Sequence, residues 1–395
     1  HAKLAHYLQM LTMQRPIESQ FVKKLSDHLG AEVSLGTVSS VSEAVVWLSY
    51  TYLHVRMLRN PLAYGIPFEQ QSRDPRLARW RAELVEAMAR RLESARMVRF
   101  HAPSGTIDAT ELGRIASHYY ISVQTIESFS ELWHEKATEA EIMHLLCLAE
   151  EFGQMKVREE EMEEMESLLE AAPLAVRATL AQREGKTNVL IQAFISATPL
   201  RSFALVSDCS FISQSAPRLA RGLFQIALSK GWISFAEKVL RVAKMLEQRV
   251  WSFSTPLRQL RTLPQDIYAK VEAKKLRVEA IREMGVREVG VLINNQRHAH
   301  ALKAEAAMLP NLELAVSAQP ITRTVLRVVL TISAAFEWRD RVHGGGETFW
   351  IFVEDPDNEH IYHKEQWRLS RERFDEAQTL SFTIPLFEPL PPQYH

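Results

Sequence analysis

The spacing of the apolar residues changes once along this chain, near Leu312, and that change bounds what the chain can fold into. Ahead of it, apolar positions recur at the three- and four-residue spacing of amphipathic helices, as in VSEAVVWLSYTYLHVRML from Val41 to Leu58. After it, TVLRVVLTI, TFWIFVE, HIYHKEQW and QTLSFTI alternate as half-buried strands do, with EDPDNE as a turn between the middle pair. The expected fold is mostly α with a C-terminal β part. The strands begin a β-sandwich but are too few to complete one. If the chain ends at His395, an exposed, association-prone sheet edge follows.

Within the helical part, NPLAYGIP (Asn60 to Pro67) breaks the pattern, and a third helical stretch runs from Pro75 to Arg96. MVRF, the turn HAPSGT and ID then make a small hairpin around Pro103 and Gly105. Helices followed by a hairpin fit either a winged helix or a helical bundle with a surface loop. From Ala109 to Trp251 the pattern is helical, with stops at Pro173, Pro199 and Pro217, and the acidic run VREEEMEEMESLL from Val157 reads as a solvated helix face. A shorter helical unit spans Leu263 to Leu312, with Pro264 in its first turn and Thr262 as N-cap. Lys270, Lys274, Lys275, Arg277, Arg282, Arg287, Arg297 and Lys303 outnumber the acids Glu272, Glu279, Glu283, Glu288 and Glu305 there, making it the most basic neighbourhood. It resembles a helix-hairpin-helix, although INNQRHAH lacks the glycine such turns carry.

With 395 residues, 46% hydrophobic and 24% charged, the chain has the composition of a folded protein with more than one domain. The formal net charge of -1 leaves no global field to attract nucleic acid or membrane, so any basic surface is local. Cys147 and Cys209 alone support neither a disulfide framework nor a cysteine zinc site, which fits a reducing compartment. No apolar run approaches the roughly 20 residues of a membrane span. The start HAKLAHYLQM lacks a signal-peptide layout. A chain that opens without methionine and stops at PPQYH reads as an excised piece.

Two segments imitate nucleotide-binding motifs. EGKT (Glu184 to Thr187) lacks the leading glycine, since Leu180 stands there, and no apolar strand precedes it. DEAQ (Asp375 to Gln378) follows RERF, which is not a buried strand, so it reads as a loop between strands. His298, His300 and His343 sit in no zinc-ligand spacing, and DPDNEH lacks the glycine and closing glutamate of a calcium loop. Catalytic residues and metal ligands are therefore not expected here. One helix carries a candidate binding face. In SQSAPRLARGLFQIALSKGW, Gln214, Arg218, Arg221, Gln225 and Ser229 recur at spacings of three and four, with Leu219, Leu223 and Ile226 on another side. The polar face can follow a phosphate backbone or be an ordinary solvated face; the pattern alone permits both.

RPIESQF, SLGTVSSVSEAV, YTYLHVRMLRNP, TELGRIASHYYIS, NVLIQAFIS, PLRQLRTLP, QPITRTVLRV, FWIFVEDPDNEHIYH and FEPLPPQY together resemble the large Ski-like DExH helicases of superfamily two. The similarity is to the Sec sixty-three homology region that follows their motor domains, nearer the signal-cointegrator branch than the spliceosomal one, and it covers essentially the whole chain. It implies the end of a motor domain or a lead-in helix at 1–14, a winged helix at 15–109, a helical ratchet domain at 110–262, a helix-loop-helix at 263–312 and a truncated immunoglobulin-like sandwich at 313–395.

The function implied is that of an accessory region of an ATP-dependent helicase. It would guide single-stranded RNA, with DNA as the alternative, past RecA-like motor domains that this chain lacks. ATP and magnesium would sit in those domains, and no cofactor in this stretch. Further implied partners are subunits of a ribonucleoprotein or repair complex, with no membrane, in the nucleus or cytoplasm of a eukaryotic cell. The settings implied are the spliceosome, ribosome quality control and DNA repair. The resemblance makes the QSAPRLARGLF helix the ratchet, with Arg218 and Arg221 as leading strand contacts, Gln214 and Gln225 beside them, and Arg297, His298 and Lys303 from the basic unit. A proline at 217 departs from the glycine usual in the family. TELGRIASHYYI becomes the helix joining winged helix to ratchet. In it Thr110 caps, Gly113 permits a close approach, Leu112, Ile115, Tyr119 and Tyr120 pack between domains, and Arg114 takes an interdomain ion pair. The competing class is a protein-interaction platform without strand binding.

Overall fold

The computed structural model describes residues 2–12, 16–355, 360–388 and 393–395. Most of the EDPDNE turn, and with it DPDNEH as a metal candidate, lies outside the described residues. The chain forms two compact units, His1–Trp133 with Leu148–Gln154, and His134–Cys147 with Met155–His395.

In the first unit the order is α1 (Ala2–Leu11), α2 (Leu25–Leu35), α3 (Val41–Ser49), α4 (Tyr52–Arg59), α5 (Phe68–Arg73), α6 (Ala78–Ser94), β1 (Val98–His101), β2 (Thr106–Ala109), α7 (Glu111–His118) and α8 (Val123–Leu132). Leu25, Leu29, Leu48, Val85 and Leu92 are buried where α2, α3 and α6 meet. The run Val41–Leu58 is two helices rather than one, because Thr51 is extended and its hydroxyl accepts from His54 N–H, starting α4 afresh. β1 and β2 pair antiparallel from Val98↔Ala109 to His101↔Thr106, with Gly105 at φ 70° in the turn. The residues ahead of α3 join them, since Ile107 N–H donates to Ser39 O and Val41 N–H to Gly105 O, each at 2.8 Å. This extra pairing distinguishes a winged helix from a bundle carrying a loop.

TELGRIASHYYI folds as α7 and packs on α2 inside this unit. The Thr110 hydroxyl accepts from Gly113 N–H, as expected of a cap. Gly113 must be glycine, because a Cβ there would run into the Met97 carbonyl. Ile115 is buried, whereas Tyr120 is 80% exposed at φ 51°. Arg114 is exposed and makes no ion pair among the described residues. At the start of the unit, Glu18 accepts from Arg56 Nη2 (2.7 Å), Asn60 Nδ2 (2.7 Å) and Tyr64 OH (2.8 Å). These bonds, the Arg56 one foremost, hold its carboxyl at about 2, below the ordinary 4.5.

In the second unit the order is α9 (Glu139–Cys147), α10 (Met162–Glu170), α11 (Arg183–Ser196), α12 (Phe203–Lys230), α13 (Ile233–Gln248), α14 (Gln265–Ala273), α15 (Val278–Glu283), α16 (Val286–Leu292), α17 (Gln296–Met308), β3 (Leu312–Thr322), β4 (Val325–Ala334), α18 (Asp340–His343), β5 (Gly346–Glu354), β6 (Ile361–Ser370) and β7 (Gln378–Pro385). Pro217 does not stop a helix as the sequence suggested; it lies inside the 28-residue α12. It removes the N–H that would bond the Ser213 carbonyl, a loss of about 3 kcal/mol. Burial of Ile212, Ala216, Leu219 and Ala220 on both sides outweighs that loss.

Thr262 is not an N-cap either: its hydroxyl donates to the Glu305 carboxylate, and Pro264 stands at the cap position rather than in the first turn of α14. The glycine missing between α16 and α17 is replaced by Asn294 at φ 48°, followed by Asn295, whose side chain caps α17 through His298 N–H. The β part forms a sheet ordered β3-β4-β7 and a second ordered β5-β6, all pairs antiparallel. Leu330, Ile332, Trp367 and Leu369 form its core. β3 was not read from the sequence, although Leu312, Leu314, Val316 and Ala318 alternate there with Glu313, Ala315, Ser317 and Gln319; it is an edge strand with little burial. Leu314 and Val316 on it are 62% and 65% exposed.

Candidate nucleic-acid interface

At 1.5 Å per residue α12 is about 42 Å long. At 100° per residue Gln214, Arg218, Arg221 and Gln225 fall within one narrow sector, and Leu219, Leu223 and Ile226 on the opposite side are buried. The structure thus brings these four candidates together on one face. Gln214 is exposed, whereas Arg218, Arg221 and Gln225 are half-buried. Arg221 is engaged from α13: its Nε and Nη2 donate to the two oxygens of Glu247 at 2.6 and 2.5 Å. Beside it, burial and then the Arg221 charge pull the Lys244 ammonium below its ordinary range. Arg221 is therefore a fixed cation whose fork is already taken by a carboxylate.

Both ends of the helix are clamped. Near its start, Lys186 of α11 is wholly buried and its Nζ meets Glu161 Oε2 at 2.5 Å, Asp208 Oδ2 at 2.7 Å and the Lys156 carbonyl at 2.8 Å. Arg158 reaches the same two carboxylates. Glu164 accepts from Arg201 N–H (2.6 Å) and Ser202 N–H (3.0 Å), satisfying donors just ahead of the first turn. The acidic run therefore is not simply a solvated face. Glu161 is buried, and Glu161 and Glu164 hold the long helix in place. Toward its C-terminal end, the Phe224 ring meets Trp350 of β5 edge-on at 5.1 Å, and Lys364 of β6 donates to the Leu228 carbonyl at 2.8 Å.

The second candidate set does not converge. Lys303 donates to the Met284 carbonyl and braces the α15–α16 connection. His298 is half-buried with Nδ1 unpaired, and Arg297 alone of the three is exposed. Six residues apart on α17, Arg297 and Lys303 point about 120° apart. Exposed cations cluster instead at the α14–α15 turn, where Lys274, Lys275 and Arg277 lie and Lys275 takes φ 53°; Arg287 is exposed as well.

The two imitated motifs resolve as structure. EGKT lies in α11 with its lysine in the buried ion cluster, so it presents nothing to a phosphate. DEAQ follows a short 3-10 turn, Arg371–Arg373, and its glutamine opens β7. Among the described residues no three His, Cys, Asp or Glu side chains converge as metal ligands, and no helix is long and apolar enough to cross a membrane.

Comparison with known proteins supplies the family. Residues 18–100 match a Winged Helix-turn-helix domain, and residues 109–395 match the Sec63 Brl domain. Over the whole chain, identity is 46% to Activating signal cointegrator 1 complex subunit 3 of Homo sapiens and 42% to the human U5 small nuclear ribonucleoprotein 200 kDa helicase. It is 44% to the DExH-box ATP-dependent RNA helicase DExH14 of Arabidopsis thaliana. The chain spans 18% of the length of each of these relatives. A model matched over more than half of the chain, with a winged helix ahead of it, places the chain in the Sec63 Brl domain family, as found in Ski-like DExH helicases.

Proposed function

We propose that this chain is the accessory region of an ATP-dependent RNA helicase and guides a single strand along α12, past motor domains that hold ATP and magnesium. One observation carries the reading: a row of amides and guanidiniums on one face of a 28-residue helix that buried ion pairs fix at one end and the β5–β6 sheet at the other. Rigid donors in a row suit phosphates, whose positions repeat regardless of sequence. The strand is RNA, in a ribonucleoprotein of the nucleus or cytoplasm. Arg218 is the leading contact, Gln214 and Gln225 flank it, and Arg221 contributes field rather than a free fork, because Glu247 occupies it. Arg297 belongs to a peripheral contact.

Fluorescence anisotropy of a labelled single-stranded RNA across a salt series tests this. For a single strand, removing a cation that neutralises one phosphate lowers the salt slope by roughly 0.7. Arg218→Ala should do so with the fold intact by circular dichroism; a wild-type chain that folds and binds no strand would overturn the reading. The exposed edge of β3 supports a second reading, a platform for protein partners, which salt-insensitive capture without strand binding would favour.

A further inference from the structure

The stripe on α12 does not begin at Gln214. Continued toward the N-terminus at the same spacing it passes through Ser210 and Ser207 and reaches Phe203, the first residue of the helix. Phe203 and Arg221 are eighteen residues apart, five whole turns at 3.6 residues each, so they share one azimuth about 27 Å apart along the axis. Phe203 is 87% exposed. Ser207, Ser210 and Gln214 between them are exposed as well, small or slender, and leave the lane open.

A single exposed apolar side chain is ordinary on a protein surface. Two features set this one apart. It stands on the axis of the polar row, and its backbone is held: Glu164 binds the N–H groups of Arg201 and Ser202 immediately before it, and the Lys186 cluster fixes Asp208 a turn and a half further on. An aromatic ring with only two side-chain torsions on an immobilised turn loses little entropy when a flat partner lies on it.

We propose that Phe203 is a base-stacking platform, the terminal stop of the strand path whose phosphates run along Gln214 and Arg218. The ligand is single-stranded nucleic acid of any sequence, because every base offers a π-face. This rests on the strand-guiding reading of α12 and adds to it a residue that contacts bases rather than phosphates.

The test uses the 395-residue chain, a short single-stranded RNA and the same strand with its bases removed, titrated against wild type, Phe203→Ala, Phe203→Tyr and Arg218→Ala. Phe203→Ala is expected to weaken binding to the intact strand by about five- to hundredfold, the measured range for one base–aromatic stack. It should change neither the salt slope nor binding to the base-free strand, and Phe203→Tyr should restore wild-type affinity. Arg218→Ala should weaken both strands and lower the salt slope. If Phe203→Ala binds as wild type while Arg218→Ala weakens, the stacking platform is wrong and the strand path stands. Equal loss on intact and base-free strands would also overturn stacking. A folded wild type that binds neither strand overturns both.

Discussion

Lys186 shows how a residue's role is set by its surroundings rather than its motif. In EGKT it imitates a phosphate-loop lysine, yet it is buried against Glu161 and Asp208. Lys186→Ala leaves the buried Glu161 and the partly buried Asp208 with the half-exposed Arg158 as their remaining cation and is expected to cost up to about 3–5 kcal/mol, read by urea denaturation. The triple change Lys186→Met, Glu161→Gln, Asp208→Asn should recover much of that loss, because the one charge it leaves without carboxylates, Arg158, is 42% exposed and stays solvated. A triple variant as unstable as the single one would mean that shape, not charge, is what α11 and α12 need there. Glu18 gives the pH counterpart. Its folded value of about 2 lies below the ordinary 4.5, so its stabilisation is complete above about pH 4.5 and is lost as pH falls toward 2. Glu18→Gln should therefore lower the melting temperature at neutral pH and make the curve shallower between those limits. At this scale the sequence was legible where the partner was local, as with the Thr110 hydroxyl that accepts from Gly113 N–H. It was opaque where the partner was distant: Glu161, Lys186 and Asp208 come from three separate segments, and no spacing rule joins them.

At the level of elements, amphipathic spacing revealed the helices and alternation the covered strands, because burial on one face imposes a period. It failed at two places for opposite reasons. β3 carries a short alternation, Leu312, Leu314, Val316 and Ala318 against Glu313, Ala315, Ser317 and Gln319, but its apolar row lies exposed on an edge, so there the period did not report burial. At Pro217 a strong local signal, the missing N–H, was overridden by packing that no local rule includes. Pro217→Ala restores a donor to the Ser213 carbonyl inside an existing helix and is expected to raise stability by up to about 3 kcal/mol. A rise in melting temperature together with unchanged RNA affinity would show that the proline is tolerated. A rise accompanied by weaker binding would show that the interruption at Pro217 shapes the stripe. A fall in stability would mean that the surrounding side chains have adapted to a bend.

For the whole molecule, the change of period near Leu312 anticipated the passage from helices to strands, but not how the chain divides into compact bodies. The first unit extends through Trp133 and takes in Leu148–Gln154, whereas the Sec63 match begins at residue 109. The discrepancy is physical. α7 and α8 take their support from residues before 109: Gly113 lies against Met97, Asp27 Oδ1 accepts from Val123 N–H at 2.8 Å, and Arg91 grips both oxygens of Glu127 at 3.0 and 2.8 Å. A chain begun at Ala109 leaves α7 without these partners and α8 with only the Glu150–Glu151 segment, bonded through Ser122 and Thr125, and isolated helices of 8 and 10 residues are too short to persist in water. Hydrogen exchange should therefore show Glu111–Leu132 unprotected in that shortened chain, while α11, α12 and α13, which pack within the second unit, retain the protection they have in the full chain. Native protection of α7 and α8 in the shortened chain would mean that these helices draw their stability from residues after 109, and that the winged helix can be removed without cost to them.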